Sequence, residues 1–267
     1  MTEATGFIWL NGSILKTAEA HISPADRGLL LGDGLFETLL ARNGAACDTS
    51  LHFARLTAGA ALLRLTLPFD EAAFTAALAA TLHANTLQNS VLRLTLTRGA
   101  APRGLLPPPG TPTALITAAP LPPAAGPVSV IISKTIRRDE TSPLSAIKSL
   151  NYLPNILARM EAAERGADDA LLLNHAGRLA EATAGNLFIR LQGEWLTPPV
   201  FEGALPGIRR AKLLASGAVR EAEIGPASLS IADTICIGNV LGLRPVTKLN
   251  GTPIRSDDAA ILALTLM

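Results

Sequence analysis

A chain of 267 residues is long enough for one large domain or two of moderate size, and 48% hydrophobic content with 17% charged residues excludes a disordered chain. With 23 basic against 22 acidic residues the formal charge is +1, so there is no broad electrostatic footprint for nucleic acid or an anionic membrane. No apolar run approaches the roughly 20 residues that cross a bilayer, and the opening MTEATGFIWLNG lacks a basic stretch followed by a long apolar one, so a cytoplasmic protein is expected.

FIWLNGSIL alternates apolar residues around Asn11-Gly12 and predicts a tight antiparallel hairpin. The glycines of GLLLGDGLFETLL, at 28, 32 and 34, invite a phosphate-loop reading, but such a loop needs a lysine and a following helix, whereas this cluster leads into an alternating strand. That strand turns at Asn43-Gly44. LHFARLTAGAALLRL and DEAAFTAALAATLHAN follow with helical spacing, the second with an acidic first turn, and SVLRLTLTRG alternates as a strand. These elements predict an α+β domain over residues 1–116. GLLPPPGTP reads as a rigid surface loop, and APLPPAAGP as the core of a linker over 117–127, because proline removes backbone donors and fixes φ.

The remainder, 128–267, reads as a second, larger domain. VSVIIS is a strand, YLPNILARMEAAERG a helix stopped at Gly166, and DALLLN with GRLAEATAGNLFIRL gives further strands. LPGIRRAKLLASG is a helix, ADTICIGNVLGLRPVTKLNG closes the sheet, and a last helix runs from Asp257 towards Met267. Cys47 and Cys236 give no disulfide framework, the four histidines are dispersed, and neither Cys-x-x-Cys, His-Glu-x-x-His nor Gly-x-Ser-x-Gly occurs. No metal site is expected.

SAIKSLNYLPN carries one lysine, Lys148, with no other charge between Pro143 and Pro154 and a predicted helix beginning just after it. Desolvation and the positive helix end both favour the neutral amine. A neutral amine is a nucleophile, best used against a carbonyl substrate or pyridoxal phosphate.

With DRGLLLGDGLFETL, HFARL, TRGAAPRG, AIKSLN, EATAGNLF, LPGIRR and GNVLGLRPV in this order, the chain from Asn11 to Pro253 resembles the class IV, fold-type IV pyridoxal-phosphate enzymes. These include D-amino-acid transaminases, branched-chain transaminases and aminodeoxychorismate lyases. The resemblance implies an α+β fold with a small N-terminal domain and a larger C-terminal domain built on a β-barrel-like core, pyridoxal 5'-phosphate as cofactor, and a homodimer whose active site is completed across the two-fold interface.

By the resemblance Lys148 forms the internal aldimine and moves the proton between the substrate's α-carbon and the cofactor, and Glu181 pairs with the pyridine nitrogen. Arg55, taken alone a helix-surface arginine, matches the clamp on the cofactor phosphate. The backbone donors of Ile208 and Arg209 would hold the same phosphate at a helix start, with Leu205 on the cofactor ring. Arg209 stands where the family usually has threonine. Asn239 falls at another phosphate contact, and Val240 and Leu241 line the substrate side. Arg137 lies at the spacing of an arginine near the cofactor phenol oxygen, a place its neighbour Arg138 could equally fill. Phe36 and Thr38 form the substrate wall.

Arg103 matches an arginine that binds the substrate carboxylate from the neighbouring subunit in D-amino-acid transaminases, but Leu105 replaces the histidine that usually follows it. AIKSLN matches the D-amino-acid branch, the Arg137 spacing and Asn239 lean towards the lyases, and the double glycine of the branched-chain branch is absent. The expected function is transfer of an amino group between a D-amino acid and a 2-oxo acid. The alternatives are 4-amino-4-deoxychorismate lyase, a branched-chain transaminase, or a non-catalytic pyridoxal-phosphate protein, the last disfavoured because Lys148 and Glu181 are both retained.

Overall fold

A computed structural model of the chain describes residues 6–266; residues 1–5 and Met267, where the last predicted helix would end, lie outside it. The chain divides into two compact units, one running to Pro123 and including Ile147–Asn151, the other formed by Ala124–Ala146 with Tyr152 onwards.

In the first unit, strands β1 (Phe7–Leu10) and β2 (Ser13–Lys16) form the first hairpin, helix α1 covers Arg27–Leu31, and β3 (Gly34–Arg42) and β4 (Ala45–Ala46) form the second hairpin. Helices α2 (Thr49–Leu63) and α3 (Glu71–Ala84) follow, then β5 (Ser90–Thr97) and β6 (Thr113–Pro120). Both turns need left-handed backbone: Asn11 and Gly12 have φ 48° and 98°, Asn43 and Gly44 have φ 50° and 76°. The strands make one sheet in the order β2-β1-β6-β5-β3-β4.

The period of two in β3 and β5 decides what each face holds. Leu35, Leu39, Leu92, Leu94 and Leu96 lie in one core with Leu56 and Ala60 of α2 and Phe74 and Leu78 of α3. Each of these buried leucines and Phe74 contributes about 1.5–3 kcal/mol. The opposite face carries Phe36, Thr38, Arg93 and Thr95, cross-strand neighbours in the pairs Phe36–Thr95 and Thr38–Arg93.

Two features depart from the sequence reading. The glycine cluster leads into β3 at Gly34 as read, but it starts in an unpredicted short helix, α1, capped by the Asp26 carboxylate on the Gly28 N–H and stopped by Gly32 at φ 65°. Residues 117–120, read as the start of the linker, complete β6. Pro120 is tolerated there because β1 pairs with β6 only at Leu115 and Ile116, so beyond them one edge of β6 is open and no donor is missed.

The second unit contains β7 (Val128–Arg138), helix α4 (Leu153–Glu164), β8 (Asp169–Asn174), β9 (Leu179–Ala182), β10 (Asn186–Leu191) and β11 (Glu194–Thr197). It continues with α5 (Ile208–Ala215), β12 (Arg220–Glu221), α6 (Ser228–Ile231), β13 (Thr234–Asn239), β14 (Gly242–Leu249), β15 (Thr252–Pro253) and α7 (Asp258–Thr265). The path β10-β13-β14-β7-β8-β9 closes on itself because β9 also pairs with β10 through Glu181 and Asn186. This is the barrel that the resemblance implied, and both units are α+β. Val130, Leu171, Leu187, Ile189, Ile235, Ile237 and Val246 share its main core. Helix α4 links parallel β7 and β8 and packs Ala158 and Ala162 on Ile131, Ala170 and Leu172.

The β7–β8 ladder is interrupted between Ile132 and Arg137. Glu161 of α4 takes up the donors this frees, accepting from the Ser133 hydroxyl at 2.6 Å, the Lys134 N–H at 2.9 Å and the Thr135 hydroxyl at 2.8 Å. Burial works to raise the Glu161 carboxyl, but these bonds outweigh it and lower it from 4.5 to about 2. A depressed carboxyl stabilises the fold above its ordinary value and loses that contribution as pH falls through the folded one. Stability should therefore drop between about pH 4.5 and 2 by on the order of 2 kcal/mol, after allowance for nearby solvent. Urea unfolding at pH 7 and pH 3 checks this: Glu161→Gln should be less stable at pH 7 and lose less on acidification, and parallel losses in both proteins would refute it.

Candidate active site

After a short helical turn at Pro143–Ala146 the chain enters the first unit for five residues, Ile147–Asn151. They add an antiparallel segment to the open edge of β3. The Phe36 N–H donates to the Lys148 carbonyl at 2.9 Å, the Leu150 N–H to the Gly34 carbonyl at 3.0 Å, and Leu35 bridges Ser149. Asn151 donates to the Gly32 carbonyl at 3.2 Å. Ile147 joins the apolar core. Alternation then puts Lys148 on the Phe36 side, with its Nζ 4.3 Å from the ring centroid.

Arg93 reaches the same ring, its guanidinium carbon 4.0 Å from the centroid. Phe36, Thr38, Arg93 and Lys148 thus share one face of the first unit's sheet. The sequence reading missed Arg93. The signal was present, since in the alternating SVLRLTLT Arg93 is the one charged residue and lies on the polar face.

Arg55 lies on the other side of β3. It projects from α2 to Glu37, donating from Nε to Oε1 at 2.9 Å and from Nη2 to Oε2 at 2.5 Å. His52, one turn earlier, meets Glu37 Oε2 through Nδ1 at 2.6 Å. Neither Glu37 nor His52 was singled out from the sequence.

Arg103 sits exposed on the loop between β5 and β6. The loop is tied down beside it: buried Arg27 donates to the carbonyls of Gly104 at 2.6 Å and Leu105 at 2.8 Å. Asp33 accepts from Nε of both Arg27 and Arg98, each at 2.8 Å, and Arg98 also donates to the Leu63 carbonyl at 2.7 Å. Leu105 and Leu106 are 82% and 90% exposed.

In the second unit Glu181 is 6% exposed at the end of β9. Its Oε2 accepts the Leu205 N–H at 3.0 Å, and its Oε1 lies 3.1 Å from Arg138 Nε. Arg138 also donates to the carbonyls of Gly203 at 2.9 Å and Ser145 at 3.1 Å. Arg137, the residue chosen by spacing, is exposed and donates to the carbonyls of Ser133 and Ile136. Successive strand residues face opposite ways, so only one of the two arginines can reach the carboxylate, and it is Arg138.

Three backbone segments meet near this carboxylate. Asn186 donates to the Leu205 carbonyl at 2.8 Å, and a Cβ on Gly207 would displace the Asn186 Oδ1 at the turn that opens α5. Gly207 caps α5 without a side-chain hydrogen bond, and the first turn begins at Ile208. A Cβ on Gly185 would press on the Gly238 carbonyl. Asn239 spends its amide on structure, donating to the Ala184 carbonyl at 2.9 Å and accepting the Leu241 N–H at 2.9 Å. Arg209 donates from Nε to the Asn239 carbonyl at 3.1 Å. Val240 is half-buried and Leu241 exposed in the turn that follows.

Among the described residues, Asp139, Glu140 and His175 bring possible ligand atoms within 4.8 Å of one another. Their carboxylates are already engaged, Asp139 by Thr141 and Ser142 and Glu140 by the N–H groups of His175 and Ala176. No described helix is long and apolar enough to cross a membrane.

The family model for class IV aminotransferases matches residues 34–249. A protein of Methanocaldococcus jannaschii, named provisionally as a branched-chain-amino-acid aminotransferase, is 34% identical over 93% of this chain and 90% of its own length. The D-alanine aminotransferase of Bacillus licheniformis is 30% identical over 93% and 90%. Among solved structures, a protein from Legionella pneumophila named provisionally as a 4-amino-4-deoxychorismate lyase superposes with a TM-score of 0.87 at 28% identity, over 94% of this chain and 96% of that one.

Proposed function

Because the chain belongs to the class IV aminotransferases, we propose that Lys148 is its catalytic lysine and that it moves an amino group between a D-amino acid and a 2-oxo acid. The observation that carries this reading is the placement of Lys148. Its backbone is bonded into β3 and its Nζ lies over Phe36, so the one titratable side chain of a neutral segment is held on a defined face. Class IV aminotransferases use pyridoxal 5'-phosphate. Each unit holds residues whose chemistry suits such a group: a lysine beside an aromatic ring in the first, and a buried carboxylate at Glu181 in the second.

When bound, the cofactor supplies an electron sink that lets the substrate α-hydrogen leave as a proton. Lys148 Nζ takes that proton and returns it. Glu181, held by Arg138 and the Leu205 N–H, accepts a hydrogen bond from the protonated pyridine nitrogen and so keeps the proton there. Leu205 packs on the ring. Arg55 and the backbone amides of Ile208 and Arg209 hold the phosphate, and Asn239 supports them by fixing the turn after β13. Phe36, Thr38, Val240 and Leu241 line the substrate space, and Arg93 receives a substrate carboxylate. Arg103 acts from a second copy of the chain, a reading supported by the exposed Leu105 and Leu106 beside it, which a homodimer would cover.

The D-preference rests on AIKSLN and on the likeness to the B. licheniformis enzyme. A branched-chain reading draws on the M. jannaschii relative and on the apolar Phe36 wall. Mixing the loaded protein separately with D-alanine, L-leucine and 4-amino-4-deoxychorismate, and following the visible band of the lysine-bound cofactor, separates them. Loss of the band with D-alanine alone is the expected result. Loss with L-leucine alone moves the chain to the branched-chain reading, and catalytic pyruvate release with the band intact makes it a lyase.

A further inference from the structure

The core face of β3 reads Leu35, Glu37, Leu39, and Glu37 is 1% exposed. It lies across from Leu94 of β5, in a stretch where every other core-facing neighbour is apolar. A carboxylate in such a place has to be matched by donors. Oε1 accepts from Arg55 Nε, and Oε2 from Arg55 Nη2 and His52 Nδ1. Since an ionised carboxylate only accepts, the proton in the His52 bond belongs to Nδ1, which fixes the orientation of a ring that is itself 1% exposed. Burial works to raise the Glu37 carboxyl, but the His52 and Arg55 hydrogen bonds and the Arg55 charge outweigh it and hold it below the usual carboxylate range.

Stability alone does not account for this group. A buried ion pair can often be replaced by apolar residues of similar volume at no loss, and the flanking positions here are leucines. What a carboxylate does that a leucine cannot is grip a guanidinium at two points. A fork held at both Nε and Nη2 has its plane and direction set by β3.

We propose that Glu37 and His52 are positioning residues that aim Arg55 at the phosphate of the cofactor. The proposal rests on the reading of Arg55 given above. It places the control of phosphate affinity on the apolar side of β3, where the fold rather than solvent fixes the arginine.

The test compares pyridoxal phosphate with pyridoxal, which has the same ring and aldehyde but no phosphate, each titrated into the cofactor-free protein and its variants. Glu37→Gln and His52→Leu should weaken binding of pyridoxal phosphate roughly 10- to 100-fold and leave pyridoxal within about 2-fold. His52→Asn, whose amide can donate where Nδ1 did, should restore most of the affinity. Equal losses for both ligands would overturn the proposal, because Glu37 would then be shaping the fold and not the phosphate contact. Unchanged binding in Glu37→Gln, with a phosphate-selective loss in Arg55→Ala, overturns it while leaving the reading of Arg55 intact. If Arg55→Ala loses nothing selectively, that reading fails and the positioning role with it. Should Glu37→Gln not fold, His52→Leu carries the comparison, since it leaves the Glu37–Arg55 pair in place.

Discussion

Lys148→Ala should lower turnover by at least about 10³-fold while the protein stays folded and still takes up pyridoxal phosphate through its remaining contacts. The physical reason is specific to where the residue sits. Its backbone bonds to β3 use the carbonyl, which alanine also has, so the segment Ile147–Asn151 keeps its pairing. Among what disappears is the contact with Phe36, a cation–π interaction of about 0.5–2 kcal/mol. Tm should therefore move by only a few degrees. Added methylamine should recover part of the activity by supplying the missing base from solution. Turnover within about 10-fold of the parent in the alanine variant would remove Lys148 from the chemistry altogether.

Glu181→Gln should cost about 10²- to 10⁴-fold in kcat, and unlike the lysine variant it should also lower stability. The amide can still accept from the Leu205 N–H, but it no longer offsets the Arg138 charge 3.1 Å away. Arg138 keeps its bonds to the carbonyls of Gly203 and Ser145, so the loss in stability stays near 1–3 kcal/mol. Steady-state kinetics with urea unfolding separates the two effects. Arg138→Met, which removes the same pairing and two further bonds, should lower stability more and kcat less than Glu181→Gln. If kcat fell in step with stability in both variants, Glu181 would be a structural partner of Arg138 and not a cofactor contact.

The sequence carried the elements well where a local rule applied. Asn-Gly turns, alternating strands and the helix around HFARL are properties of a few neighbouring residues, and each lies where the pattern puts it. The family followed from the order of seven motifs. Helix α1 was missed because its capping residue, Asp26, lay outside the glycine cluster being weighed. The last residues of β6 were missed because proline was judged by itself, without knowing that β1 ends before it.

Side-chain partnership is what only the tertiary structure decided. Which of two adjacent arginines meets Glu181 was not legible: the barrel turns Arg138 to it, while Arg137 donates to the carbonyls of Ser133 and Ile136. The Asn239 amide meets Ala184 and Leu241, partners 55 and 2 positions away. Glu37 read as an ordinary strand residue until α2 brought His52 and Arg55 down on it. Sequence determines which groups exist and how neighbours alternate. Which distant groups then meet is set by sheet register and helix packing, because a hydrogen bond needs its two atoms within about 3 Å and no local pattern fixes that separation across a fold.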